Sequence, residues 1–308
     1  GLPVPAGSLN TIATKIQDNV VVGHDEAGRA VHFKHPAFQT AAMFLGEALC
    51  LVPFALRRWY KAATRATPLS AEEAAARDHR LRRSFAVFSL PAMCDAAATT
   101  LLNLGLFYTY ASVFQMLRGT LVIFAGMLTI LLLHRRLHSH HWLGIVLIGA
   151  GAALVGASSL LAQQPLPHPS LTPTPTHHTP QLLAATQFIV EEKYLVKYRA
   201  PVLLAVGMEG FWGVALCTLA LPALQLIPGP GGRPLDSVAD AWAEVRRDAT
   251  LQWTTAATVV SIAFFNFFGV SVTKSLSGAA RATIDACRTL FIWLFALRMG
   301  WEHFHMLQ

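Results

Sequence analysis

Apolar runs about as long as a bilayer is thick recur along most of this chain, and they constrain its fold more than any other feature. A helix crossing the ~30 Å hydrocarbon core needs about 20 predominantly apolar residues. Such runs read from Pro36 to about Leu56, Ser84 to Tyr108, Ala111 to Leu133, Trp142 to Leu161, Pro201 to Ile227, Leu251 to Val270 and Leu276 to Leu297. Two shorter segments, Leu2–Ile16 and Gln181–Val190, bring the expected spans to nine. In lipid every backbone N–H and C=O must be satisfied within the segment, so the runs are expected to be helices. Over 308 residues the chain is 54% hydrophobic and only 13% charged, too apolar for a soluble core and too short for a large soluble domain besides its spans. The expected fold class is all-α, a polytopic transmembrane helical bundle.

A net charge of +7 raises nucleic acid as a partner, but the placement of the charge argues against it. The cations gather in loops between apolar runs: Arg57, Arg58, Lys61, Arg65, Arg77, Arg80, Arg82 and Arg83, then Arg135 and Arg136. That is the positive-inside pattern, and no aromatic-interleaved basic patch or zinc-finger spacing accompanies it. With these loops cytosolic, the 191–199 segment carrying Lys193, Lys197 and Arg199 also falls inside. The uncharged linker QQPLPHPSLTPTPTHHTP and the 228–250 loop then fall outside or in a lumen. The four cysteines (50, 94, 217 and 287) sit within apolar runs at spacings that match no metal or redox motif. Leu2–Ile16 lacks the basic start and cleavage site of a signal peptide, so an internal helix is expected to direct insertion.

An offset of 163 residues (266 − 103) brings Asn103, Ser112, Arg118, Thr120, Leu131, Arg135 and His140 onto Asn266, Ser275, Arg281, Thr283, Leu294, Arg298 and His303. Shortening the offset by one residue places Glu47 on Glu209. The matched spans are an odd number apart, so the two halves lie oppositely in the membrane. That is the inverted-repeat layout of many secondary carriers, with the solute at the repeat interface near the midplane. The expected division is a first repeat over 1–162 holding helices 1–5, the Pro/Thr-rich linker 163–180, and a second repeat over 181–308 holding helices 6–9.

The run PAMCDAAATTLLNLGLFYTYASVFQMLRGTLVIFAGMLTILLLHRRL, followed by HWLGIVLIGAGAALVG, resembles the drug/metabolite transporter superfamily. More narrowly it is similar to the F subfamily of solute carrier family 35, relatives of the nucleotide-sugar transporters. HPAFQTAAMFLGEALCL, QFIVEEKYLVKY, VGMEGFWG, SIAFFNFFGVSVTKSLSGAAR and RTLFIWLFALRMGWEHFHMLQ match the same group in order. The resemblance implies an inverted five-plus-five fold of ten helices with both termini cytosolic, in an endomembrane such as Golgi or lysosome, or in mitochondria. Against that pattern the first helix lacks its front half, the sixth is short before Glu191, and the tenth is absent after Gln308, leaving about nine of ten helices.

Ionisable groups inside spans are costly in lipid and mark candidate pathways. Glu47 and Glu209 could bind a cationic group or a proton in a central cavity; equally, they could be hydrogen-bonded packing carboxyls. Arg118 and Arg281 each offer a planar five-donor fork suited to phosphate or carboxylate. For Arg281 a local ladder with Asp285 and Arg288 on one helical face is the favoured alternative. Arg118 has no acid on its own helix, so Asp95 is its expected partner. Asn103, Asn266, Ser112, Ser275, Gln115 and Thr120 add polar groups to the same helices. Lys274 is expected to snorkel to the interface, and Glu191, Glu192 and Lys193 to form a solvated helix end. The HRRLHSHH loop reads as a basic interfacial anchor rather than a metal site, and Gly144, Gly149, Gly151 and Gly156 as a packing face.

No nucleophile elbow, Walker motif or HExxH is present, so no catalytic, cofactor or metal residues are expected and the chain is not expected to be an enzyme. The expected function is secondary transport of a small anionic or nucleotide-linked metabolite by alternating access. The alternative is a transporter-derived structural subunit of a larger membrane complex, motivated by the incomplete helices. The expected partners are the bilayer, a small-molecule solute, and a second copy or another membrane protein over the uncovered flanks.

Overall fold

The computed structural model describes residues 3–24, 30–33, 35–65, 70–108, 118–135, 139–161, 178–226 and 237–298. Helix α1 (Pro3–Asn19) leads into a short antiparallel hairpin of β1 (Val21–His24) and β2 (Ala30–His32). Helix α2 (Pro36–Leu49) opens on a proline in its first turn, where a missing N–H costs nothing. It runs through Cys50 into α3 (Leu51–Ala63). Helix α4 (Ala71–Val87) likewise runs through Phe88 into α5 (Ser89–Tyr108). A single 3₁₀ turn, Arg118–Thr120, precedes α6 (Leu121–Leu133), and α7 (Ser139–Leu161) follows. The second half comprises α8 (His178–Tyr198), α9 (Val202–Leu226), α10 (Val238–Arg247), α11 (Ala249–Ser275) and α12 (Gly278–Arg298).

Among the described residues, 36–63, 71–102, 202–222 and 249–275 are helices long and apolar enough to cross a membrane. Much of their surface faces outward: Leu219 is 76% and Trp253 77% exposed, the disposition of side chains that meet lipid. Inside the spans, hydroxyls such as those of Thr129, Thr218 and Ser271 hydrogen-bond to the carbonyl four residues earlier, so these polar groups are satisfied within their own helices.

The two halves interleave rather than stand apart. Helix α1 packs on α11 and α12, α2 on α9 and α11, and α5 and α6 on α8. Small residues set the closest approaches. A Cβ on Gly210 of α9 would stand 2.6 Å from the Glu47 carbonyl carbon, and one on Gly46 would strike the Val259 carbonyl of α11. These crossings bring α2, α9 and α11 together around one interior. One buried cluster there joins Cys50, Phe88, Leu195, Val206 and Val270; another joins Leu121, Ala125, Phe188, Ile189 and Ala282.

Four findings differ from the sequence expectations. The stretch after Leu56 is not an extended loop: α3 continues to Ala63, and a capping box starts α4, Ser70 Oγ accepting from the Glu73 N–H and Glu73 from the Ser70 N–H, each at 3.2 Å. The sixth helix is longer than its apolar run, because α8 carries the helix through Glu191 and Glu192 for 21 residues. Beyond α1 the chain folds a cap, in which Phe33 is buried against Ala241, Val245 and Leu251 of α10 and α11. Of the α7 glycines, the three described do not pack tightly: added Cβ atoms at Gly144 and Gly151 would meet nothing within 4 Å, and one at Gly149 only Ile123 at 3.7 Å, while the surroundings of Gly156 lie outside the described residues. Most of the Pro/Thr-rich linker lies outside the described residues; its last three positions, 178–180, begin α8.

Candidate functional site

Two buried carboxylates in succession mark the middle of the bundle. Sequence hydropathy places Glu191 and Glu192 at a wetted helix end, yet both are wholly buried, because α12 and α6 close over that face of α8. Glu192 accepts the Gly278 N–H at 2.8 Å, filling an orphan donor at the start of α12, and its other oxygen takes a hydrogen bond from Arg135 at the end of α6. Gly278 permits this crossing, since a Cβ there would lie 2.7 Å from the Phe188 carbonyl oxygen.

Glu191 takes the other direction. Arg281 Nη1 donates to Glu191 Oε2 at 2.7 Å, and Arg281 Nη2 to Asn266 Oδ1 at 2.8 Å. Asn266 Nδ2 donates in turn to Glu47 Oε1 at 2.5 Å. The guanidinium lies 4.1 Å from the centre of the Phe188 ring, a cation–π contact. A continuous polar chain, Glu191–Arg281–Asn266–Glu47, therefore links α8, α12, α11 and α2, elements of both halves. Glu209 of α9 faces the same region, near enough to Glu47, Asp95 and Glu191 for their charges to interact. The Glu47, Glu191 and Glu209 carboxyls each retain one buried oxygen with no hydrogen-bond partner in the structure.

The expected ladder on α12 divides. Arg288 pairs with Asp285 at 3.1 Å and lies over the Phe265 ring, whereas Arg281 turns to Glu191 and Asn266. The gap between them is small: Phe265, Gly269, Arg281, Asp285 and Arg288 line a pocket of about 10 Å³, close to the size of one water. Asp95 is half-buried, accepts from Thr99 at 3.3 Å and from Gln187, and lies within the electrostatic reach of Arg281. Ser275 is exposed and bonds back to the Ser271 carbonyl, outside the polar chain. Lys274 is turned onto the Ala200 carbonyl at 2.6 Å and so ties α11 to the α8–α9 turn. The Asn103 and Arg118 side chains, together with Ser112 and Gln115, lie outside the described residues, so the Arg118–Asp95 expectation does too.

Sequence reasoning singled out Glu47, Glu209, Asn266 and Arg281, which the structure brings to one region, but placed Glu191 at a solvated helix end and did not consider Gln187. Two adjacent acids following the apolar TQFIV were the available signal. A span that ends at the first charge cannot register it.

The EamA-like transporter family model matches residues 27–157. Over 317 aligned residues the chain is 38% identical to solute carrier family 35 member F6 of Rattus norvegicus and 36% identical to that of Homo sapiens, covering all of this chain and 83% of each relative. An uncharacterized protein of Schizosaccharomyces pombe is 32% identical over 313 residues, 98% of this chain and 90% of its own length.

Proposed function

The chain belongs to solute carrier family 35, integral membrane proteins of transporter type, and from that premise we propose that it is a secondary carrier moving a small anionic or nucleotide-linked metabolite by alternating access. The observation that carries this reading is the polar chain Glu191–Arg281–Asn266–Glu47, which joins the two halves at a buried guanidinium. In this closed arrangement Arg281 is held by Glu191. An entering phosphate or carboxylate would compete with Glu191 for the fork, and its release would return the pair. Because α8 and α12 carry the two partners, that exchange alters a contact between helices and so couples solute occupancy to their relative position.

The acids supply a second element. Glu47, Glu209, Asp95 and Glu191 surround Arg281, while Arg288 is matched by Asp285. Four carboxyls around one guanidinium need protons or a bound cation for charge balance. Proton movement with the solute follows from that balance. The sixth helix, longer than its apolar run, weakens the structural-subunit alternative, which rested partly on its shortness.

The test is counterflow in proteoliposomes loaded with a panel of nucleotide sugars and organic anions, with a pH-sensitive dye inside. Glu191→Gln and Arg281→Lys are each expected to lower uptake at least tenfold, and proton movement with it. Uptake at the wild-type level in both variants would sink the assignment.

A further inference from the structure

The side that the basic loops assign to the cytosol holds a cavity of about 1320 Å³ that the polar chain does not use. Its walls are α3, the second half of α4, the α8–α9 turn and the end of α11. Eight of its lining residues are lysine or arginine and none is acidic. Asp78 stands outside the lining, 60% exposed, paired with Arg58 at 3.2 Å and within 4.0 Å of Arg77. Arg57, Lys61, Arg80 and Arg199 have no acidic partner among the described residues.

Positive-inside topology asks only that cations lie on this side of the membrane. It does not ask that they converge on one concavity. Two independent details go further. Arg77 Nε, in the cavity lining, makes no hydrogen bond and stands 4.0 Å from the Asp78 carboxylate, so the acid does not saturate it. Arg199 occupies the left-handed region at φ 47°, where glycine or asparagine would sit with less strain, so the tight α8–α9 turn keeps an arginine at the cavity rim at a backbone cost. On α3, beside the cavity-lining Arg58 and Lys61, Trp59 and Tyr60 are exposed, the residue types that gather at membrane–water interfaces.

We propose that this vestibule is a binding site for an anion carrying two or more phosphate groups, whether presented on a lipid headgroup or free in the cytosol. Arginine forks at Arg57, Arg80 and Arg199 can each engage two phosphate oxygens, and Lys61 adds a mobile point charge. The volume exceeds that of ordinary small-molecule pockets, so a bisphosphorylated ring with its waters fits. The proposal is independent of the solute carried by the buried polar chain.

The full chain in detergent is titrated with inorganic pyrophosphate, and separately with vesicles containing phosphatidylinositol 4,5-bisphosphate against vesicles of equal charge made with phosphatidylserine. Binding to pyrophosphate alone identifies a soluble ligand, binding to the bisphosphate vesicles alone a headgroup, and binding to both the shared chemistry. The triple variant R57Q/K61Q/R80Q is expected to weaken binding on the order of a hundredfold, and Arg199→Gly, which suits that backbone, about fivefold with an unchanged or higher Tm. Glu191→Gln, which removes uptake in the preceding reading, is expected to leave this binding intact. Absence of binding by both probes, wild-type affinity in Arg199→Gly, or an equal loss in the opposite-face control R246Q/R247Q overturns the proposal.

Discussion

Arg281 and Glu191 meet at 2.7 Å with both side chains buried, the guanidinium also lying against the Phe188 ring. Removing one partner of such a pair leaves an uncompensated charge and costs about 3–5 kcal/mol, whereas replacing both by apolar groups of similar volume is often neutral or stabilising. Arg281→Ala is therefore expected to lower the Tm sharply in detergent. The double variant Glu191→Leu with Arg281→Met is expected to recover most of it while remaining without uptake. A double variant as unstable as the single one would show that the pair does more than balance charge.

The contact between α2 and α9 depends on the absence of a side chain at Gly210. Overpacking of a close crossing typically costs about 1–3 kcal/mol, and here the obstacle is the backbone of Glu47 and Ala48, which cannot rotate aside. Gly210→Ala is expected to destabilise by that amount and to impair uptake through displacement of Glu47. Gly151→Ala, which faces open space, is expected to change neither. Thermal melts of the two variants side by side check the contrast.

Phe33 fastens the hairpin to α10, with His35 and Glu244 3.3 Å apart beside it. Truncation of a buried phenylalanine costs about 3–5 kcal/mol. Because the cap touches the spans mainly through the start of α11, the loss in Phe33→Ala is expected to be local. Limited proteolysis should then cut within 238–247 at least tenfold faster, with the melting of the membrane bundle little changed; coincident loss of both would show one cooperative unit.

Orientation is tested by labelling. In a background where Cys50, Cys94, Cys217 and Cys287, all free thiols, are replaced by alanine or serine, Arg80→Cys is expected to react with a membrane-impermeant maleimide only from the cytosolic side. Trp242→Cys, on the exposed face of α10, should react only from the opposite side. The exchanged pattern would reverse the charge-derived topology, and both sites reacting from one side would break it.

Of the nine expected spans, the four that the described residues show long and apolar enough to cross were legible because hydropathy and lipid impose one rule on each of them. Glu47, Glu209, Asn266 and Arg281 stood out in the sequence because polar and ionisable groups inside apolar runs are conspicuous. What escaped depends on neighbours distant in sequence. Whether Glu191 is wetted depends on α12 crossing it at Gly278, and nothing in QFIVEEKYLVKY records that. The i,i+4 spacing of Arg281 and Asp285 pointed to a local ladder, but a better acid stood on another helix. The helices at 57–63 and 71–87 were hidden by their polarity, although the Ser70–Glu73 box was a local signal for the second of them.

Helices α4 and α5, joined end to end through Phe88, give the bundle a mechanical property. Its 32 residues from Ala71 to Leu102 span about 48 Å at 1.5 Å per residue, against about 30 Å of hydrocarbon. With the charge-derived orientation, the excess is expected to stand in the cytosol. A tilt of about 10° about the buried Phe88 would sweep its tip through a few ångströms, about 4 Å for the 17 residues beyond that point. Motion inside the membrane is thereby converted into displacement in water, where a probe attached near Glu72 can follow it.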